Sequence, residues 1–371
     1  MEDWIASWEG LGFPKLKEAS LQKIETTGKK LLVEAGVEEE EAALEVRLLL
    51  QESFSLNTAG YLLRKQELLC KALGGKTEIV DKGQKGISGG KKAETADGEQ
   101  VEILKKLQGF FENFEKRRRR IPLAQILGRQ SFYGLDFFVN EDVLIPRADT
   151  ECLVDLVLED YADLAKQAGK TYEEKRNSEK RNPEHVSNKR EDTVENEANY
   201  SSLKILDLCT GSGCIGISVA KHLPYQELLL VDLSEKALAV AKQNAEKYLG
   251  ENVTFLQSDL LTEVQGKKFS LLLSNPPYIV SGVIPGLDRE VSEYEPKLAL
   301  DGGEDGMVFY RRIAKEAKAV LLPGARLYLE IGYDQGESVK DIFQKEGYDE
   351  VEVFPDLSGN PRVLRGIFLG K

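Results

Sequence analysis

The chain has 371 residues, 41% of them hydrophobic and 30% charged, a composition typical of a soluble protein with two domains. No apolar run reaches membrane-spanning length, and acidic Glu2 and Asp3 stand where a signal peptide would be basic, so we expect a cytoplasmic protein without membrane contact. The net charge of −13 argues against a general nucleic-acid-binding surface, and two histidines with four dispersed cysteines argue against a metal site.

Residues 1–122 are predicted to form a helical domain, since apolar residues recur at helical spacing, for example over 101–114. Residues 74–98 are rich in Gly and Lys and predict a flexible loop within this domain. The arginine run 117–120 stands just before Pro122. Positive charge at a helix C-terminus offsets the dipole, so the run indicates a helix end, with contact to RNA or an acidic partner as the alternative.

Residues 123–142 predict a linker with a β-hairpin, because aromatic segments flank Gly134. Asp149 or Thr150 is expected to cap the apolar helix that follows. Residues 165–200 consist mainly of Lys, Arg, Glu and Asn. Such a segment cannot bury enough apolar surface to fold alone, so it predicts a solvated insertion.

From Leu203 onward, strand patterns alternate with helix patterns, which predicts a doubly wound α/β sheet in a second domain over 143–371. The predicted strands are 204–208, 227–231, 253–257, 271–274, 326–331, 351–354 and 363–369. The predicted helices are 214–222, 234–248, 307–321 and 335–346.

A glycine loop follows the first strand of this sheet. Gly211, Gly213 and Gly216 match the Gly-x-Gly-x-x-Gly pattern between a strand and a helix. Asp232 ends the next strand about 20 residues later, as a ribose-binding carboxylate should. Glycines also end helices and fill turns, so the pattern alone is weak evidence. Together with Asp232 and the strand context, it predicts a nucleoside-binding loop.

Two more carboxylates, Asp207 and Asp259, stand at the ends of the first and third strands. They suit a cationic sulfonium-amino acid better than a pyrophosphate, so the sequence favours S-adenosylmethionine over a dinucleotide. Asp259 taken singly is also compatible with an ordinary turn residue.

The fourth strand breaks into Asn275-Pro276-Pro277-Tyr278. The prolines lack N–H groups, so their segment offers rigid carbonyl acceptors beside the Asn275 amide, and the Tyr278 ring can pack on a planar group. A nitrogen that donates its hydrogens to these acceptors points its lone pair at an electrophile. Taken alone, the tetrapeptide is also compatible with an ordinary turn after a core strand. The stretch resembles the Asn-Pro-Pro-Tyr signature of S-adenosylmethionine-dependent N-methyltransferases, which act on amide or exocyclic amino nitrogens.

Nearly the whole chain resembles the bacterial protein-(glutamine-N5) methyltransferases of the HemK/PrmC type. The resemblance is carried by Pro-Leu-Ala-Gln-Ile-Leu-Gly at 122–128, Ile-Pro-Arg-Ala-Asp-Thr-Glu at 145–151, Tyr-Glu-Pro at 294–296, the glycine loop and the Asn-Pro-Pro-Tyr stretch. It implies a class I S-adenosylmethionine-dependent methyltransferase domain, Rossmann-like with a seven-stranded, mostly parallel sheet. A small N-terminal helical domain for substrate recognition and the hairpin linker complete the implied architecture.

The resemblance also implies site residues. Cofactor contacts fall on Cys209, Thr210, Gly211, Ser212, Gly213, Asp232, Asp259, Leu260 and Asn275. Substrate contacts and catalysis fall on Asn275, Pro276, Pro277 and Tyr278. The chain departs from the family at Cys209, where glycine is usual, at Ala148, where proline is usual, and in its two charged insertions.

The implied substrate is the glutamine of the Gly-Gly-Gln motif in class 1 peptide chain release factors, and we expect a monomeric enzyme. A ribosomal-protein glutamine methyltransferase shares these motifs and stays open as an alternative. A DNA adenine N6-methyltransferase shares the tetrapeptide, but the acidic balance and the lack of a basic target-recognition domain argue against it.

Overall fold

The computed structural model describes residues 3–67, 69, 92–162, 203–250 and 252–370. The chain divides into two compact units, Met1–Leu127 and Gly128–Lys371. The predicted insertion at 165–200 lies outside the described residues, as does most of the predicted loop at 74–98. A long helix of the first unit already begins at Lys92, earlier than predicted, because the helix-favouring residues before Gly98 extend it toward the N-terminus.

The described part of the first unit is helical, as predicted. Its helices α1 to α6 are Asp3–Gly10, Leu21–Glu34, Glu39–Phe54, Thr58–Arg64, Lys92–Arg118 and Leu123–Leu127. Their apolar faces meet around an aromatic group in which Trp8 stacks on Phe13 at 4.4 Å between ring centroids. Phe110 and Phe114, one helical turn apart on α5, pack against the same rings, so the spacing read from the sequence builds this core.

The second unit begins with the predicted hairpin, in which β1 Arg129–Phe132 pairs antiparallel with β2 Leu135–Phe138. Its turn residues Tyr133 and Gly134 have φ of 50° and 72°. Positive φ at both central residues is what a tight hairpin turn with the twist of its strands requires.

A seven-stranded sheet follows, and it confirms the predicted fold class. Its strands β3 to β9 are Lys204–Leu208, Glu227–Asp232, Val253–Gln257, Phe269–Ser274, Leu321–Glu330, Asp349–Pro355 and Pro361–Phe368. Their spatial order is β5-β4-β3-β6-β7-β9-β8, with parallel pairs from β5 to β7 and antiparallel pairs on both sides of β9.

Side chains of this sheet are buried on both faces. On β6, Leu272 belongs to one apolar cluster, whereas its neighbours Leu271 and Leu273 belong to the other. Burial on both faces explains why this strand reads as a continuous apolar run and not as an alternating pattern. The helices among the described residues of the unit, α7 to α13, are Glu151–Asp160, Cys214–His222, Glu235–Tyr248, Arg289–Tyr294, Lys297–Leu300, Val308–Glu316 and Gly336–Lys345.

Two further local predictions were wrong. The helix predicted over 307–321 ends at Glu316, and β7 begins at Leu321, because Leu321 pairs with Phe269 ahead of a bulge. Neither Asp149 nor Thr150 caps α7 through its side chain, because both belong to a 3₁₀ turn that leads directly into the helix. Among the described residues, no helix is long and apolar enough to cross a membrane.

Candidate active site

The ends of three neighbouring strands define the site. Leu208 of β3 pairs with Ser274 of β6, and Ser274 pairs with Leu329 of β7. The residues that follow them therefore stand side by side at the carboxyl edge of the sheet. Between β3 and β6 the chain changes direction across the sheet, and such a switch point opens a crevice for ligands.

A cavity that is partly open to solvent occupies this crevice. Of the predicted site residues, its lining contains Cys209, Thr210, Gly211, Ser212, Asp232, Asp259, Leu260, Asn275 and Pro277. The lining does not contain Asp207, Gly213, Pro276 or Tyr278. Apolar side chains complete the wall, among them Leu144, Ile215, Leu298 and Phe309.

The three glycines of the loop serve different purposes. Gly211 has a φ of 54°, and a Cβ there would meet no atom within 4 Å, so its surroundings are open. A Cβ on Gly213 would lie 2.7 Å from Ile217 Cδ1, and one on Gly216 would lie 2.8 Å from Asp207 Oδ2. Gly216 is therefore required for close packing of α8 against the strands, Gly213 has a φ of 80° that favours glycine at the start of α8, and only Gly211 leaves space for a ligand.

Asp207 lies behind the loop. It is 1% exposed, and its Oδ2 accepts hydrogen bonds from Thr210 Oγ1 at 2.6 Å and from the Gly216 amide at 3.1 Å. Its Oδ1 is buried without a hydrogen-bond partner. Burial raises the pKa of Asp207 to about 7. In this position the carboxyl group supports the loop from beneath.

Asp232, at the end of β4, holds the loop from the cavity side. Its Oδ2 accepts from the Gly211 amide and its Oδ1 from the Ser234 amide, both at 2.9 Å. Burial raises its pKa, while these backbone hydrogen bonds act in the opposite direction. A carboxylate keeps further lone pairs after two such bonds, so Asp232 can still accept from a ligand hydroxyl.

Asp259 and Leu260 form the far wall of the cavity. Asp259 is exposed, and its carboxylate accepts a hydrogen bond from Arg312 at 2.7 Å. Leu260 is buried and has a φ of 51°, a conformation that turns the chain at this point. The carboxylate of Asp259 is therefore already paired with a cation in this structure.

The Asn-Pro-Pro-Tyr segment is rigidly held. Pro276 and Pro277 are buried, and the Tyr278 carbonyl accepts a hydrogen bond from Gln335 Nε2 at 2.9 Å. A Cβ on Gly302 would lie 2.7 Å from the Tyr278 backbone, and one on Gly306 would lie 2.5 Å from the Tyr278 carbonyl oxygen. Only glycine fits at these two positions, so a closely packed backbone fixes the orientation of the segment.

For several residues around the site, the sequence did not predict a role. Glu330 ends β7 beside the Asn-Pro-Pro-Tyr segment, and Tyr278 donates its hydroxyl to Glu330 Oε1 at 3.2 Å. Arg147 pairs with buried Glu295 next to the cavity. A signal existed for Glu330, because it is an acidic residue at the end of an apolar strand, the same signal that identified Asp207 and Asp232.

Asn244 of α9 is another residue near the site whose role the sequence did not predict. Its side-chain amide accepts from the Phe138 amide at 2.7 Å and donates to the Phe138 carbonyl at 3.0 Å. It also donates to the Ser212 carbonyl at 2.9 Å. One fully buried side chain therefore connects the hairpin to the glycine loop.

Within the described ranges, no group of three or more His, Cys, Asp or Glu side chains is placed to hold a metal ion. The chemistry-bearing groups near the cavity include the Arg147 guanidinium as well as carboxylates, amides, a tyrosine and backbone carbonyls. The carboxylates and carbonyls can accept hydrogen bonds from a ligand's hydroxyl and nitrogen groups, and the carboxylates can compensate positive charge.

Known proteins resemble this chain. A family model for the methyltransferase small domain matches residues 192–289. The release factor glutamine methyltransferase of Clostridium acetobutylicum is 37% identical over 264 residues, which cover 70% of this chain and 80% of that protein. The protein of the same name from Moorella thermoacetica is 39% identical over 255 residues, 68% of this chain and 77% of that protein. A bifunctional methyltransferase of Rickettsia conorii is 36% identical over 260 residues, 70% of this chain and 47% of that protein.

Proposed function

The chain belongs to the release factor glutamine methyltransferase family, and from this premise we propose that it methylates the side-chain nitrogen N5 of a glutamine. The substrate is the glutamine of the Gly-Gly-Gln motif in class 1 peptide chain release factors, and the methyl donor is S-adenosylmethionine. One observation carries the proposal. The glycine loop and the Asn-Pro-Pro-Tyr segment follow paired, neighbouring strands, and Gly211, Asn275 and Pro277 from these two segments line one cavity.

The residues of the cavity fit the donor. Open space beside Gly211 admits a nucleoside against the backbone, and Asp232 has acceptor capacity left for ribose hydroxyls. Asp232 lines the same cavity and, among the described residues, pairs only with backbone amides, so its carboxylate favours a cation over a phosphate. When bound, S-adenosylmethionine supplies a methyl group on a positively charged sulfur atom.

Asn275 and Pro276 are expected to act on the glutamine amide. A primary amide is a poor nucleophile because its lone pair is delocalised into its carbonyl. The Asn275 Oδ1 and the Pro276 carbonyl would accept the two N–H groups and favour a pyramidal nitrogen in the transition state. Rigid packing of Gly302 and Gly306 against Tyr278 supports this role, because acceptors that are already oriented need no reorganisation during the reaction.

The test incubates the enzyme and labelled donor with a folded release factor, with ribosomal proteins and with adenine-containing DNA, each separately. We expect label on the release factor glutamine, located by mass spectrometry. Label on DNA, or on a ribosomal protein in preference to the release factor, would contradict the proposal.

Asn275→Ala should reduce kcat by at least about 100-fold while the protein stays folded, because the amide orients the nucleophile and does not support the sheet. Gln344→Ala removes an exposed amide from α13 and serves as the matched control with unchanged turnover. Retention of most of the kcat in Asn275→Ala would mean that the acceptor mechanism is wrong.

A further inference from the structure

Glu330 stands directly behind the residue expected to hold the substrate amide. Because Ser274 pairs with Leu329, the next residues, Asn275 and Glu330, are neighbours at the strand ends. Glu330 is 2% exposed and does not line the cavity, whereas Asn275 does. The Glu330 carboxyl group therefore lies beside Asn275 on the side that faces away from the cavity.

The surroundings of this carboxyl group consist of hydrogen-bond donors and one cation. Tyr278 donates to Oε1 at 3.2 Å, and Oε2 is buried without a hydrogen-bond partner. Burial raises the pKa of Glu330, while Thr150, the charge of Arg362, Tyr278 and Asn275 act in the opposite direction. Groups that lower the pKa of a carboxyl group stabilise its charged form, as N–H and O–H donors do.

In its ionised form, the Glu330 carboxylate can only accept hydrogen bonds, so a neighbouring amide must then turn its nitrogen toward it. For Asn275 this orientation directs Nδ2 to Glu330 and leaves Oδ1 on the cavity side. The opposite orientation would point two N–H groups at the N–H groups of a substrate amide, where no hydrogen bond forms. The identity of residue 330 therefore decides whether Asn275 offers an acceptor or a donor.

We propose that Glu330 is a positioning residue that fixes the side-chain orientation of Asn275, so that Oδ1 accepts from the glutamine amide. The inference rests on the proposed function, because it specifies how the substrate nitrogen is recognised.

Glu330→Gln is the first test, with Asp160→Asn as the matched control. Asp160 accepts a hydrogen bond from the Tyr328 hydroxyl at 2.6 Å, so each change converts a tyrosine-paired carboxylate to an amide. Unlike the Asn275–Glu330 pair, Asp160 does not adjoin a residue expected to bind the substrate: it lies outside the cavity lining and pairs with Arg365. We expect Glu330→Gln to lower kcat about 10- to 100-fold, with the KM for the release factor and the calorimetric Kd for S-adenosylmethionine changed less than about twofold. Asp160→Asn should lower the melting temperature more and leave kcat unchanged.

A double substitution gives the second test. In Glu330→Gln, the new amide offers N–H groups toward residue 275, and these suit an aspartate there, whose other oxygen then accepts from the substrate. Asn275→Asp alone, assayed at pH 8.5 to limit proton sharing between the two carboxyl groups, should have the lowest kcat. Adding Glu330→Gln should raise that kcat about tenfold.

The outcomes separate the two proposals. If the wild-type enzyme labels no release factor, the proposed function is wrong. If the wild type is active but Glu330→Gln turns over like Asp160→Asn, or the double variant is no faster than Asn275→Asp, the positioning role of Glu330 is wrong. If the Glu330→Gln protein fails to fold, Asn275→Asp is compared with an Asn275→Asp/Glu330→Asp protein instead. Aspartate at position 330 keeps a carboxylate there, so kcat should not recover. A recovered kcat would overturn the proposal.

Discussion

The buried carboxyl group of Asp207 makes its own contribution to the pH dependence of the second unit's stability. Its pKa of about 7 in the folded protein lies above its ordinary value of 3.8. Between these values the unfolded chain loses the proton first, so the free energy of unfolding falls as the pH rises through this window and levels off above it.

Asp207→Asn should remove this dependence. At pH 8 the variant should be more stable than the wild type by about 2 to 4 kcal/mol, and the difference should shrink toward pH 4. Urea unfolding at several pH values measures this. A stability difference that stays constant from pH 4 to pH 8 would show that Asp207 titrates normally.

Cys209 has a φ of 54°, in the left-handed region that costs a residue with a Cβ about 1 kcal/mol. Cys209→Gly and Cys209→Ala both remove the sulfur from its apolar surroundings, but only glycine also relieves the backbone. We expect the glycine variant to be the more stable of the two, by up to about 1 kcal/mol, since its freer unfolded chain offsets part of the gain. Thermal unfolding of both variants decides this, and a more stable alanine variant would contradict it.

At the scale of elements, the end of β4 and the glycine loop act together through Asp232. Asp232→Ala removes both the anchor of the Gly211 amide and the proposed ribose acceptor, so we expect S-adenosylmethionine binding to weaken by about 1 to 3 kcal/mol. Calorimetry measures the affinity. Glu227→Ala, at the opposite end of the same strand, is the control and should bind normally. Equal affinity in both variants would mean that β4 does not reach the cofactor.

Local signals in the sequence predicted most strands of the sheet, because apolar runs bounded by turn residues are visible without tertiary information. The ends of β7 and the preceding helix were missed, since Leu321 becomes a strand residue only by pairing with Phe269. The same limit applies to the site. Motif spacing located the glycine loop and Asn275, whereas the places of Glu330 and Asn244 depend on strand register and helix packing, which a linear pattern does not encode.

At the scale of the whole molecule, each unit has its own apolar core among its described residues. The domain boundaries predicted at 122 and 142 stay predictions, and the structure places its division between Leu127 and Gly128. The hairpin belongs to the second unit in this division, together with the sheet.

Excision of residues 170–198 should leave folding and methyl transfer nearly intact. The structure fixes the chain on both sides of this segment, because Asp160 bonds to Arg365 and Tyr328, and Leu203 is buried. A polar segment contributes little burial, and loop length carries only a weak entropic cost. Melting temperature and kcat of the shortened protein provide the test. A large fall in either would show that the segment packs or takes part in recognition.

The side chain of Asn244 couples the stability of the hairpin to that of the glycine loop. Its bonds to the Phe138 amide and carbonyl imitate those of an adjacent strand, and its third bond holds the Ser212 carbonyl. A change that stabilises either segment therefore also stabilises the other, and this coupling is reciprocal. The solvent exchange of one backbone hydrogen, that of Phe138, thereby becomes a reporter for the order of a loop elsewhere in the chain.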